Sequence, residues 1–311
     1  MDPSTVSPVP SAILQDSAMT QKIIDIHPHI ISPDTAKYPF NPLGGVRSDW
    51  SAERPFTFEQ YVEEMEAAGV AQAAMVHSST TYGYDNSYAA DSVCRDPARF
   101  VGVYSVDVAA PDAVATIDHW RGRGMAGLRL FGAGSTVQTD GRWMIAPNTF
   151  PVWEHMADIE MTVAIQTTSI GLPVVEEILE RFPEVNIILD HLGRPDLTDG
   201  PPYTAAAPLW KLARFDNLYL KVTPRTFDLS EREPATPETF FPKLVSEYGA
   251  DRLAWGSNFP ANNGTLKDLV DQGHRCFAAL PETDRTAIWA GTAQKLYPQF
   301  AETTFDEAVD A

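Results

Sequence analysis

Short apolar runs and longer amphipathic segments alternate along this chain from residue 22 to residue 258. The runs cover 22–30, 71–78, 101–107, 124–131, 161–168, 185–191, 217–223 and 252–258. Their interiors are apolar at almost every position, the pattern of parallel strands buried on both faces. The segments between them carry apolar residues three and four apart. Over 57–68 the stripe is Phe58, Tyr61, Val62 and Met65, with Gly69 as the C-cap. Over 172–182 it is Leu172, Val175, Ile178, Leu179 and Phe182, and Pro183 stops the helix. Eight strand–helix units predict an α/β fold, a single (β/α)8 TIM barrel over residues 21–300. A doubly wound open sheet is the alternative, but no G-x-G-x-x-G or G-x-x-x-x-G-K-[ST] loop follows any run. Residues 1–20, rich in Pro, Ser and Thr, and the acidic 301–311 read as tails outside the barrel. Segments 31–56 and 192–208 are long for connections. Both follow the C-terminal end of a strand, which predicts lid or substrate loops.

Composition narrows the function classes. The 311 residues include 23 Lys and Arg against 42 Asp and Glu, a net charge of −19. Such a surface repels phosphate backbones and anionic lipid, so nucleic-acid and membrane-surface roles are disfavoured. No apolar run approaches the roughly 18 residues needed to span a bilayer. Cys94 and Cys276 are too few for a disulfide framework. These features predict a cytoplasmic globular protein acting on a small molecule; they say nothing of its oligomeric state.

In a barrel, the polar residues at the C-terminal ends of the strands converge on one mouth, and ligand chemistry collects there. The first run ends in Asp25, His27 and His29, the second in His77, Ser78 and Ser79, the fourth in Arg129. The fifth ends in Gln166 and Thr167, the sixth in Asp190 and His191, the seventh in Lys221 and Arg225, the eighth in Ser257 and Asn258. His27 and His29 are two apart, so a regular strand would point both toward the barrel axis. Paired imidazoles there can share a divalent cation or polarise a carbonyl together. His119, His155 and His274 lie in helical segments and read as surface or structural residues. Arg129 and Arg225 at the mouth suit a carboxylate or sulfonate, which a guanidinium grips with two parallel hydrogen bonds. Lys221, in mid-strand, reads as structural.

Three ordered motifs carry a resemblance. Asp25-Ile26-His27-Pro28-His29, the stretch Ile187 to Pro195 (IILDHLGRP), and Gly256-Ser257-Asn258-Phe259-Pro260 resemble the amidohydrolase superfamily, in its amidohydrolase-2 branch. Tyr38-Pro39-Phe40 and Tyr82-Gly83-Tyr84-Asp85-Asn86 are similar to the group of 2-pyrone-4,6-dicarboxylate lactonases and sulfomuconolactone hydrolases. The resemblance implies a barrel of the amidohydrolase type that hydrolyses a small anionic lactone. It implies catalysis by His27, His29, His191 and position 258, and substrate binding by Arg129, Arg225, Asn263, Ser78 and Tyr82. It also implies either one divalent metal, zinc, held by His27, His29 and His191, or no cofactor. Two departures bear on this. Asn258 stands where the branch carries an Asp that serves as general base or metal ligand, and an amide cannot accept a proton near neutral pH. Gln166 stands where metal-binding members often have a His. The competing readings are a metal-dependent decarboxylase of an aromatic acid and a non-catalytic binding homologue.

Overall fold

The computed structural model describes residues 21–134, 136–137 and 139–301. The two predicted tails, 1–20 and the stretch from residue 302 on, lie outside the described residues. Eight strands form one parallel sheet in chain order: β1 (Ile24–Asp25), β2 (Gln72–Val76), β3 (Phe100–Tyr104), β4 (Met125–Phe131), β5 (Thr162–Gln166), β6 (Ile187–Asp190), β7 (Leu218–Val222) and β8 (Leu253–Trp255). Helices return the chain between them, as the periodicity predicts. The helix Phe58–Ala68 starts on a capping box between Thr57 and Gln60 and ends at Gly69, whose φ of 71° a side chain would strain. The helix Leu172–Arg181 buries Leu172, Val175, Ile178 and Leu179 against the barrel.

Asp25 closes the barrel. Its Oδ1 accepts the backbone N–H of Ser257 at 2.8 Å and that of His27 at 2.9 Å, while its Oδ2 accepts the Tyr61 hydroxyl at 2.9 Å. Beside it the Ile26 N–H donates to the Trp255 carbonyl at 3.3 Å, joining β1 to β8. A fully buried carboxylate is tolerated here because its oxygens are satisfied.

The pleat of the strands sorts the interior into an apolar floor and a polar mouth. Ala74 and Val76 on β2, Ala164 on β5, Ile188 on β6, Tyr219 on β7 and Ala254 on β8 pack into one interior cluster. Leu296, Tyr297 and Phe300 plug that cluster from the far end. Two residues further along β2, β5, β6 and β7, on the same face, come Ser78, Gln166, Asp190 and Lys221. The same parity that builds the floor therefore delivers the polar groups to the mouth.

β1 departs from this pattern. The first run predicts a strand through residue 30, but regular pairing stops at Asp25. Ile24 and Ile26 face the interior, so a strictly alternating strand would turn His27 outward. The Asp25 carboxylate takes the His27 N–H instead, and Pro28 has no N–H to give to a ladder. The chain leaves the pleat there, and both histidines reach the mouth by an irregular path. The Val76 N–H still donates to the Pro28 carbonyl, and the His29 N–H to that of Phe259, both at 2.8 Å.

The two long segments have different fates. Residues 31–56 cross the mouth, tied to the loop after β2 by Leu43 N–H to the Ser79 carbonyl at 2.8 Å and Asn41 N–H to the Thr81 carbonyl at 2.9 Å. Arg54 anchors the far end on the Asn263 side chain and the Ala261 carbonyl. Residues 192–208 instead pack sideways, with the Tyr203 hydroxyl 2.6 Å from that of Thr239.

Candidate active site

At the mouth the rings of His27 and His29 stand edge to face, centroids 5.0 Å apart, and those of His27 and His191 are 4.9 Å apart. Each ring is oriented by a partner. His29 Nδ1 is 2.9 Å from the Val76 carbonyl oxygen, which can only accept, so Nδ1 carries the proton. His191 Nδ1 is 2.8 Å from the Thr223 hydroxyl. Burial first, and then the neighbouring cation Arg129, pull the His29 pKa down to about 3. Burial likewise holds His27 and His191 well below the usual imidazole range. All three rings are neutral at pH 7.

Beneath them lies a buried charge cluster. Arg129 Nε donates to Asp190 Oδ2 at 2.8 Å, and its Nη2 is 3.5 Å from His27 Nε2. Lys221 Nζ is 2.8 Å from Asp190 Oδ1 in a second ion pair, and His27 Nδ1 is 3.8 Å from the same oxygen. Burial alone would raise the Asp190 pKa, but Lys221 and Arg129 outweigh it and hold the carboxyl well below its ordinary range. Both side chains of the Lys221–Asp190 pair are fully buried.

Above the cluster is a cavity of about 50 Å³. Of the predicted residues, His29, Ser78, Arg129, His191, Arg225 and Asn258 line it, and His27 sits fully buried behind them. Among the described residues Arg225 forms no ion pair, so its guanidinium is available to a ligand. Asn258 sits at a left-handed φ of 52°, and its Nδ2 donates to Asn262 Oδ1 at 2.5 Å. Two predicted binding residues are not on the cavity wall. The Tyr82 hydroxyl accepts the Ser32 N–H at 2.7 Å and so braces the first loop. Asn263 is exposed at the rim, held by Arg54. A larger depression of about 890 Å³ lies at the opposite end, beside Phe100 and Met125 at the starts of β3 and β4, away from these groups.

Several residues at the site are not among the predicted ones. Trp50, from the helix Asp49–Glu53, lines the cavity, as do Thr80, Phe131 and Thr136. No sequence pattern marks a loop tryptophan as a cavity wall. Lys221 had a readable signal, because a charge between Leu220 and Val222 in a buried strand demands a partner. His27, Asp190 and His191 present ligand atoms within 4.8 Å of one another, so a cation site would include Asp190, which the sequence reading left out in favour of His29.

An eight-stranded barrel whose mouth gathers neutral imidazoles, two arginines and an asparagine in a left-handed backbone conformation defines a (β/α)8 enzyme. The chain belongs to the amidohydrolase family, whose profile matches residues 24–299. It is similar to 4-sulfomuconolactone hydrolase of Rhizobium radiobacter, 26% identical over 253 residues that cover 76% of this chain and 75% of that one. It is also similar to 2-pyrone-4,6-dicarboxylate hydrolase of Comamonas testosteroni, 24% identical over 266 residues, 80% of each chain. Among solved structures, an amidohydrolase of Burkholderia multivorans with bound zinc superposes with a TM-score of 0.71 at 19% identity, covering 89% of this chain and 99% of that one.

Proposed function

We propose that this enzyme opens a small lactone bearing a carboxylate or sulfonate. The observation that carries the reading is one cavity lined by two neutral histidines and by Arg129 and Arg225, in a protein whose net charge is −19. Cations concentrated at the mouth of so acidic a chain select an anion. The names of the two curated relatives, both hydrolases of small acids, point the same way.

Arg225 and the outer nitrogens of Arg129 orient the anionic group. His191 presents Nε2 to the carbonyl. With the Thr223 hydroxyl donating to Nδ1, Nε2 carries the proton and stabilises the developing oxyanion. Asn258, its Nδ2 committed to Asn262, offers Oδ1 to align the attacking water. As the water oxygen bonds to the carbonyl carbon, its proton passes to His29 Nε2, the lone-pair nitrogen of a ring whose Nδ1–H is held by Val76. When the intermediate collapses, the ring C–O bond breaks and the leaving oxygen takes that proton back. A group with a pKa of about 3 is a weak base, so turnover through His29 is slow.

The test is hydrolysis of matched lactones, carboxylated, sulfonated and uncharged, by the unaltered chain and by Arg225→Ala. The expected result is ring opening of the charged compounds only, with the charge preference lost in the variant. Equal hydrolysis of the uncharged lactone overturns the reading. So does loss of carbon dioxide from an aromatic acid with no lactone opened.

A further inference from the structure

The histidine pair that follows β1 brings a divalent cation to mind, and the charges around it oppose one. His27 and His191 are neutral, the state that a metal needs in its ligands. The carboxylate of the cluster is already taken. Asp190 Oδ1 faces Lys221 Nζ and Oδ2 faces Arg129 Nε, each at 2.8 Å. The Arg129 guanidinium also approaches His27 Nε2, at 3.5 Å. A dication placed on Asp190 would be the third cation on one carboxylate, inside a barrel interior that screens charge poorly. The residues present do not fit a metal.

We propose that Lys221 is a resident cation, its ammonium occupying the place on Asp190 that a divalent ion would need. Lys221 Nζ sits 2.8 Å from Asp190 Oδ1, and both side chains are fully buried. At that distance the compact ammonium is a unit positive charge seated directly against the carboxylate. Lys221 lines no part of the cavity, so it acts through Asp190 and is a positioning residue. With the ammonium in place, His27 and His191 stay free of metal, and His191 on the cavity wall is left to the substrate carbonyl. The inference stands whichever substrate the cavity takes.

Metal content tests it without reference to activity. The chain is equilibrated with excess zinc, passed through a desalting column and analysed by atomic emission. No stoichiometric zinc is expected in the unaltered protein or in Lys221→Arg, which keeps the charge. Lys221→Met is expected to retain about one zinc per chain in tetrahedral N/O coordination. Cobalt substituted into Lys221→Met should give a visible spectrum that disappears when His27→Ala is added. Stoichiometric zinc in the unaltered chain overturns the proposal, and that measurement decides even if Lys221→Met fails to fold. A folded Lys221→Met, verified by circular dichroism, that takes up no zinc overturns it as well.

Discussion

The indole of Trp50 lies over the imidazole of His29, with ring centroids 5.1 Å apart and planes 28° from parallel. One ring comes from the first long loop and the other from the end of the first strand. The loop is thereby pressed onto a residue of the site itself. Trp50→Ala removes a stacking contact of about 0.5–1.5 kcal/mol and one wall of the cavity. The expected outcome is a KM raised several-fold with a smaller change in kcat. An unchanged KM would show that the indole is mere cover.

Arg129 and Arg225 line the same cavity but differ in what else they hold. Arg225→Ala should raise KM for an anionic substrate several-fold, in a salt-dependent way, and leave Tm nearly unchanged, since the residue is exposed. Arg129→Ala should weaken binding too, and in addition lower stability by about 3–5 kcal/mol, because Asp190 loses one of its two buried cations. Steady-state kinetics and thermal melts of the two variants separate these effects. Equal melting temperatures would contradict the role given to the Arg129–Asp190 pair.

Position 258 is where the chemistry should respond most. Asn and Asp both tolerate the left-handed backbone found there, so Asn258→Asp changes the charge without straining the chain. A carboxylate would take the proton that His29 accepts poorly. We expect kcat to rise at least about a hundredfold, the usual scale of a general base. Equal turnover by the two forms, measured at saturating substrate, would mean that the imidazoles already suffice.

Buried neutral histidines also set the acid stability. Burial lowers the His29 pKa to about 3 and that of His77 to about 4, from 6.5. Between those values and 6.5 the unfolded chain binds protons that the folded chain does not. Stability therefore falls as pH drops through this window, by about 1.4 kcal/mol per pH unit for each such histidine. His77 donates to the Gly83 carbonyl at 2.8 Å and stands apart from the cavity. His77→Gln keeps a donor but cannot titrate, and urea melts at pH 7 and pH 5 should show a shallower loss by about one histidine's share. An identical pH slope would assign the loss to other groups.

The barrel was legible in the chain because each strand is apolar on both faces and the helices repeat at 3.6 residues, signals that need no partner to be read. The mouth followed from the fold, since His29, Ser78, His191, Arg225 and Asn258 fall after the apolar part of a strand and Arg129 near the end of β4. Tyr82 and Asn263 were placed on the cavity by likeness alone. Whether a loop side chain turns inward is settled by contacts such as Ser32 to Tyr82 and Arg54 to Asn263, which no periodicity encodes. The path of His27 escaped for a related reason. Alternation is a property of regular pleats, and a single side-chain acceptor, the Asp25 carboxylate, was enough to break it. Pairings between strands, such as Lys221 on β7 with Asp190 on β6, need the register of neighbours before they can be seen.

The cavity beneath the first loop measures about 50 Å³, enough for a few water molecules and far below the roughly 300 Å³ at which small-molecule sites begin. Residues 31–56 narrow this cavity while they stay bonded to Ser79, Thr81 and Ala261, so a ligand larger than a few waters would need room that these contacts limit. Were those contacts to break on entry and exit, the rate at which the loop lifts would set a ceiling on turnover however good the chemistry became. An improved base at position 258 would bring the enzyme up against that ceiling, where solvent viscosity, rather than pH, governs kcat.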